Sequence, residues 1–546
     1  MNCRFLLIFF VIFISIGNAQ KGTNSSKKRT KLVVGIVVDQ MRFDYITRFS
    51  NHYENGGFKK LIEQGFFCKN HHFNYVPTTT AAGHASIHTG TTPQNHGIIG
   101  NYWFNRKKKE KIYCVEDLNV SPVGTSSSNG RRSPSQLGVT TIADQNRLHT
   151  QMKGKTISIS IKDRAAILSG GHTANAAYWF RGKGQGSWIS SSHYIDKLPK
   201  WVIDFNESNI IDSYFKPWQT MYPIDTYTES GLDNTKFERG FKGKETATFP
   251  YDLQQLKTQN GDYDILRHTP YGNSLTVDFA ISALKGEKLG KDSITDFLLV
   301  SFSSTDYIGH NFGVNSKEIE DTYIRLDKDL KRLLKNLDTE VGINNYTVFL
   351  TSDHGATHVP RYLKSKKAPA GYFKEASFGI AVKNFVKKQY ALDSIIENIS
   401  NNQVFLNHKK IKEYKLSSSE IERTIAKHML EYSTIDRVFT RSQLENTTFN
   451  SGIASSIQKG FHMTRSGDVF FVINPSTIAY AKTGSAHGSG YTYDTHVPLI
   501  FYGKGINKGY TYTKTYVSDI APTISTLIGI EHPNGTTGTV ITEVIE

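Results

Sequence analysis

Residues Leu32-Val33-Val34-Gly35-Ile36-Val37-Val38 make a near-continuous β-branched run that ends at Asp39. A run without polar alternation suits a parallel strand buried on both faces. A sheet built from such strands must be covered by helices on each side. Comparable runs recur at Thr156 to Ile161, Phe297 to Phe302, Thr347 to Leu350 and Pro498 to Tyr502. Between two of them, Asn315 to Leu337 carries Ile319, Tyr323, Leu326, Leu330, Leu333 and Leu337 at spacings of three and four. That spacing predicts an amphipathic helix, starting at Asn315 with Glu318 three residues on. The expected fold class is α/β: a three-layer α/β/α sandwich with a mostly parallel central sheet and inserted cap segments.

The first nineteen residues read as a secretory signal peptide, with Arg4, an apolar run from Phe5 to Ile16, and Gly17-Asn18-Ala19 before the cleavage point. The run is short of the ~20 apolar residues that a membrane span needs. A periplasmic or secreted chain with no membrane span in its mature form is expected. Residues 20–30 read as a polar, disordered lead-in. Residues 31–546 are expected to form one catalytic domain, with insertions at about 101–155, 171–289 and 358–465, the last including a helix-like stretch from Ser419 to Glu431. Removal of the signal peptide leaves Cys68 and Cys114, which an oxidising compartment could join in a disulfide; two separate buried thiols are the alternative.

The net charge of +16 would draw in anionic substrates. Its densest run, Arg106 to Lys111, is short and falls in an expected loop, so it reads as a solvated face. No nucleic-acid-binding motif is present, and nucleic acid is not an expected partner.

Ligands of open α/β sheets bind outside the carboxyl ends of the strands, and Asp39, Asp306 and Asp353 each stand at or just past the end of an apolar run. His354 follows Asp353, and His310 follows Asp306 by four residues. His487 lies in Gly484-Ser485-Ala486-His487-Gly488-Ser489-Gly490, where glycines allow close backbone approach. A set of carboxylates and imidazoles suits Zn²⁺, and two ions roughly 4 Å apart clamp an in-line displacement at phosphorus. Thr80 sits in a turn that leads into an expected helix, with Thr79 as an alternative in the same threonine run. A helix N-terminus is an anion site, and an adjacent metal would lower the pKa of a hydroxyl. Lys162 and Arg164, two apart, are expected on one face of a strand, where both could grip a phosphoryl group. His71, His72, His84, His88 and His96 lie outside this pattern and read as structural or surface residues.

Together these residues resemble the alkaline phosphatase superfamily, and within it the phosphate-irrepressible bacterial monoesterases, from about Lys31 to the C-terminal Asp519-Ile520-Ala521-Pro522-Thr523-Ile524. The resemblance implies two zinc ions per chain, one on Asp306, His310 and His487 and the other on Asp39, Asp353 and His354. It implies that Thr80 is the attacking residue, becoming transiently phosphorylated and touching the metal. It matches Asn101 to an amide that donates to a phosphoryl oxygen, and Lys162 and Arg164 to the pair that marks monoesterases. Many relatives are expected to carry Pro where this chain has Ala82. The implied reaction is hydrolysis of small phosphate monoesters by a monomeric enzyme. The competing readings are a nucleotide pyrophosphatase or phosphodiesterase of the same superfamily, against which Lys162 and Arg164 argue, and an inactive zinc- or phosphate-binding protein. A sulfatase is disfavoured, since no Cys or Ser stands in the context that becomes an aldehyde nucleophile.

Overall fold

The computed structural model describes residues 29–546. The signal-peptide reading of residues 1–19 and most of the lead-in lie outside the described residues. A ten-stranded sheet runs through the molecule. Its strands in chain order are β1 (Leu32–Val38), β2 (Phe66–Cys68), β3 (Pro122–Val123), β4 (Thr156–Ser160), β5 (Ala176–Arg181), β6 (Ser187–Ser191), β7 (Asp296–Phe302), β8 (Tyr346–Thr351), β9 (Leu499–Gly503) and β10 (Gly509–Thr511). The spatial order is β10-β2-β9-β8-β1-β7-β4-β5-β6-β3. The central five, from β8 to β5, are mutually parallel. Toward the edges, β9 pairs antiparallel with β8 and with β2, and β6 antiparallel with β5. The fold is thus an α/β sandwich around a mostly parallel sheet.

Every residue of β1 is buried, and the period of two along a strand sends its side chains to opposite layers. Val34, Ile36 and Val38 enter one core, with the helix Lys317–Leu337 and its Ile319, Tyr323, Leu326, Leu330 and Leu333. Val33 and Val37 enter the other, with Ile520 and Ile524. The helix begins one step later than its sequence suggests: Ser316, not Asn315, accepts the N–H of Ile319 at 3.2 Å, while Asn315 Oδ1 faces His358 Nδ1 at 2.6 Å. A serine at the cap satisfies an otherwise orphaned helix N–H.

Residues 396–473 hold a separate four-stranded antiparallel sheet, Ile396–Ser400, Gln403–Leu406, Val469–Ile473 and Ile435–Thr440 in pairing order. Helices Glu375–Tyr390 and Ser418–Met429 pack on it around a core of their own. The hairpin of Ile396–Ser400 and Gln403–Leu406 turns on Asn401 and Asn402, both at positive φ. The basic run is only partly a loop, since Glu110 and Lys111 belong to the strand Glu110–Tyr113, paired with Tyr102–Asn105. Cys68 and Cys114 are free, buried and in different cores, so the two-thiol alternative holds in this structure.

Candidate active site

The carboxyl ends of the central strands converge on one buried pocket. Asp39 follows β1 and Asp353 follows β8; Asp306 and His310 lie one turn apart on helix α3 (Ser304–Phe312), which follows β7. Two helices complete the frame: α1 (Thr80–Thr89) and α2 (Asp163–Gly170). Helix α1 approaches so closely that a Cβ on Gly83 would fall 2.3 Å from the carbonyl of Asp353. Only glycine fits at such a contact.

Two groups of side chains could each hold a metal ion: Asp306, His310 and His487, and Asp39, Asp353 and His354. Their imidazoles share one arrangement. His310 Nδ1 faces the carbonyl of Ser485 at 2.8 Å, His487 Nδ1 that of Thr78 at 2.8 Å, and His354 Nδ1 that of Gly355 at 3.0 Å. A carbonyl can only accept, so each Nδ1 carries the proton and each Nε2 is left with a lone pair. Those lone pairs point at carboxylates: His310 Nε2 lies 3.2 Å and His487 Nε2 3.6 Å from Asp306 Oδ1, and His354 Nε2 lies 3.6 Å from Asp39 Oδ1.

Charge and burial argue the same way. Asp39, Asp306 and Asp353 are all buried, and among the described residues the ammonium of Lys162 is the one lysine or arginine head paired with them, 2.7 Å from Asp39 Oδ2 and 2.5 Å from Asp306 Oδ2. Three carboxylates against one ammonium leave buried negative charge that is costly without further cations. Among the described residues Asp39 Oδ1, Asp353 Oδ2 and His354 Nε2 have no hydrogen-bond partner, a pattern that calls for a ligand at buried polar atoms. Burial together with neighbouring Asp39 pushes the Asp353 carboxyl well above its usual range. Burial also holds His354 down to about 3. Burial lowers Lys162 too, but Asp306 and Asp39 more than offset it, so the ammonium stays charged. The donor set fits two divalent cations.

Thr80 is the first residue of α1 and is buried; Thr79 before it is extended, half-buried, and has a hydroxyl without partner. Asn101 Oδ1 accepts the N–H of Ala81 at 2.9 Å, so the side chain caps α1 while its amide nitrogen remains available. Lys162 and Arg164 do not share a strand face. The strand stops at Ser160, Lys162 is the extended residue before α2, and Arg164 lies in the first turn. The helix start nonetheless leaves both side chains lining one cavity. Arg164 Nη1 donates to the hydroxyl of Tyr113 at 3.3 Å, and that hydroxyl donates to Asp163 Oδ1 at 2.5 Å. Beside these residues opens a cavity of roughly 350 Å³, lined by Thr79, Asn101 and His487 and, from the separate sheet, Asn401 and Asn402.

Two contributors were not evident from the sequence. Gln40, at φ 63°, gives its backbone N–H to Asp353 Oδ1 at 3.1 Å and its side-chain amide to Asp306 Oδ1 at 2.7 Å, tying both groups together. Tyr113 holds Arg164. A glutamine directly after an aspartate at a strand end was the one available signal for the first. The histidines read as structural take other partners: His71 faces Thr515 Oγ1, His88 the carbonyl of His84, and His96 Ser86 Oγ. His72 stacks on His496. His84 is nearer the centre, bridging the carbonyl of Thr80 and Ser301 Oγ, both at 2.9 Å.

Residues 33–497 match the family model for type I phosphodiesterase / nucleotide pyrophosphatase. The chain is 44% identical to alkaline phosphatase PhoV of Synechococcus elongatus, covering 98% of each chain, and 41% identical to alkaline phosphatase PafA of Elizabethkingia meningoseptica, covering 99% of each. A Myroides odoratus protein named as a calcium-transporting ATPase is 42% identical over 95% of each chain. Among the described residues of the present chain, no helix is long and apolar enough to cross a membrane. The crystal structure of PafA superposes with a TM-score of 0.91 at 40% identity, covering 95% of this chain and 99% of that one. With this fold, this converging site and relatives of this similarity over nearly its full length, the chain belongs to the PafA-like alkaline phosphatases of the type I phosphodiesterase / nucleotide pyrophosphatase family.

Proposed function

We propose that this protein is an exported phosphate monoesterase that acts through a phosphothreonine at Thr80 with two zinc ions. The observation that carries the reading is the ammonium of Lys162 set between Asp39 and Asp306, one from each candidate metal group, with Arg164 lining the same cavity as Lys162. The ions, held by Asp306, His310 and His487 and by Asp39, Asp353 and His354, would supply Lewis acidity and neutralise charge on oxygen.

The chain's own groups divide the remaining work. Thr80, at the N-terminus of α1, attacks phosphorus where backbone N–H groups and the helix dipole favour an anion. Its hydroxyl loses a proton as the bond to phosphorus forms and the ester alcohol leaves. Water then cleaves the phosphothreonine and releases inorganic phosphate. Asn101, its oxygen committed to Ala81, turns its amide protons to a nonbridging oxygen. Arg164 presents a planar fork to two oxygens and Lys162 a point charge. Phosphoryl transfer depends on such positioning and electrostatics more than on covalent help. Two added cations suit the dianionic end of a monoester, whereas a diester carries one negative charge. This favours a monoesterase over a phosphodiesterase.

Thr80 is favoured over Thr79 by spacing. A variant of PafA has been solved with a threonine and an asparagine replaced 21 positions apart, together with a lysine and an arginine two apart. Thr80 and Asn101, and Lys162 and Arg164, have those spacings here. Export is supported by the signal-like Met1 to Ala19. Acid quench of the zinc-loaded enzyme during turnover of an aryl phosphate, followed by peptide mapping, tests the mechanism. Phosphate on Thr80 is expected; phosphate on Thr79, or none during steady turnover, contradicts it.

A further inference from the structure

A second cavity, of roughly 200 Å³, borders the first: Tyr102 lines both, and Lys162 and Arg164 belong to its wall. The other cations around it are Arg132, Arg181 and Arg267, and among the described residues Asp163 is the one acidic residue that lines it. Not all of this charge is spoken for. Lys162 is paired with Asp39 and Asp306, Arg132 gives its Nε–H to Asp163 at 3.0 Å, and Arg267 Nε lies 3.0 Å from Asp264 Oδ1 and its Nη2 donates to the carbonyl of Phe180. Arg164 and Arg181 are in no ion pair among the described residues. The Nε–H groups of Arg164 and Arg181 are buried with no hydrogen-bond acceptor among the described residues. Buried guanidinium donors without acceptors are costly unless an anion meets them. The cavity is smaller than the roughly 300–1,000 Å³ usual for larger organic ligands, and forked guanidinium donors match the oxygens of phosphate.

We propose that this cavity is a second oxyanion site, taking a phosphate dianion beside the one being transferred. The dianion comes either from a second phosphate on the same substrate or from free inorganic phosphate. The proposal rests on and extends the phosphatase reading, since Lys162 and Arg164, assigned there to the transferred phosphoryl group, line this cavity.

Arg181 tests it, because it takes no part in the proposed chemistry. Calorimetric titration of inorganic phosphate into the zinc-loaded Thr80→Ala protein should show two binding events per chain. Adding Arg181→Ala should abolish or weaken one of them roughly tenfold, the size of one hydrogen bond to a charged group. In the enzyme with Thr80 intact, Arg181→Ala should leave kcat/KM for phenyl phosphate within about twofold. If it lowers kcat/KM for a propane-1,3-diol bisphosphate roughly tenfold, about one charged hydrogen bond, the second group belongs to the substrate. A second calorimetric event without that preference assigns the site to free phosphate. One event in both proteins, with matching bisphosphate kinetics, overturns the proposal. Failure of the phosphatase reading would show separately, as no turnover of phenyl phosphate by the parent enzyme.

Discussion

Asn101 accepts the backbone N–H of Ala81 through Oδ1 at 2.9 Å, so one side chain caps the helix that begins at Thr80 and leaves its amide donors for the role proposed toward phosphate. Asn101→Ala removes a cap and a donor together. It should lower kcat/KM for an aryl monoester by roughly 10²-fold, by analogy with other preorganised donors. Asn101→Asp retains the acceptor but adds negative charge toward phosphate, and should be no better than alanine. A near-normal Asn101→Asp enzyme would remove Asn101 from phosphate recognition.

Lys162→Ala and Arg164→Ala should each cost roughly 10²–10³ in monoester kcat/KM, the range for groups that meet charge on the reacting phosphoryl. The loss on a methyl diester should be smaller, because a diester lacks the second negative charge. Equal losses on both substrates would mean that the two cations shape the site without sensing substrate charge.

Tyr113 is a positioning residue: its hydroxyl accepts from Arg164 and donates to Asp163, which also takes the Nε–H of Arg132. Tyr113→Phe should reproduce part of the Arg164→Ala effect, roughly tenfold. In a double-mutant cycle the two changes should combine to little more than Arg164→Ala alone, as expected for groups acting through one contact. Full additivity would place Tyr113 outside this network.

Burial pushes the Cys68 thiol up to about 12, and it raises Cys114 further. A raised thiol pKa keeps the neutral form at pH 8, and thiolate is the reactive species. Neither residue should therefore be alkylated in the folded protein at pH 8, and both should be after unfolding without reductant. Mass spectrometry of the mature chain reads this directly; a missing pair of alkylatable thiols would demonstrate a disulfide.

Removal of metal should destabilise the fold as well as stop turnover, because the buried Asp39, Asp306 and Asp353 are then left, among the described residues, with one lysine or arginine ion pair partner, Lys162, which pairs with Asp39 and Asp306. A chelator should lower Tm by several degrees, and zinc should restore both Tm and activity. An unchanged Tm would argue that these carboxylates are balanced without cations.

The sheet and its long helix were legible because their signals are local. A strand buried on both faces is apolar throughout, as β1 is, and the residues from Ile319 to Leu337 follow the helical period. An aspartate after one strand is usually a turn or cap residue, and the metal-group residues were legible because such aspartates recur at several strand ends, with His354 beside Asp353 and His310 four residues after Asp306. Gln40 and Tyr113 escaped notice because their partners lie far away in sequence: Gln40 reaches Asp306 and Asp353, and Tyr113 reaches Asp163 and Arg164. Lys162 and Arg164 were grouped by strand periodicity, yet the chain leaves the strand at Ser160 and enters α2. The period-two argument thus placed the pair on the wrong element.

Lys162 and Arg164 are the residues proposed to make this a monoesterase. The most direct test compares kcat/KM of the zinc-loaded enzyme for an aryl phosphate monoester with that for its methyl diester at alkaline pH. The account predicts a monoester preference of several orders of magnitude that collapses in the Lys162→Ala, Arg164→Ala double variant. A diester preference in the parent enzyme, or a monoester preference that survives loss of both cations, would contradict it.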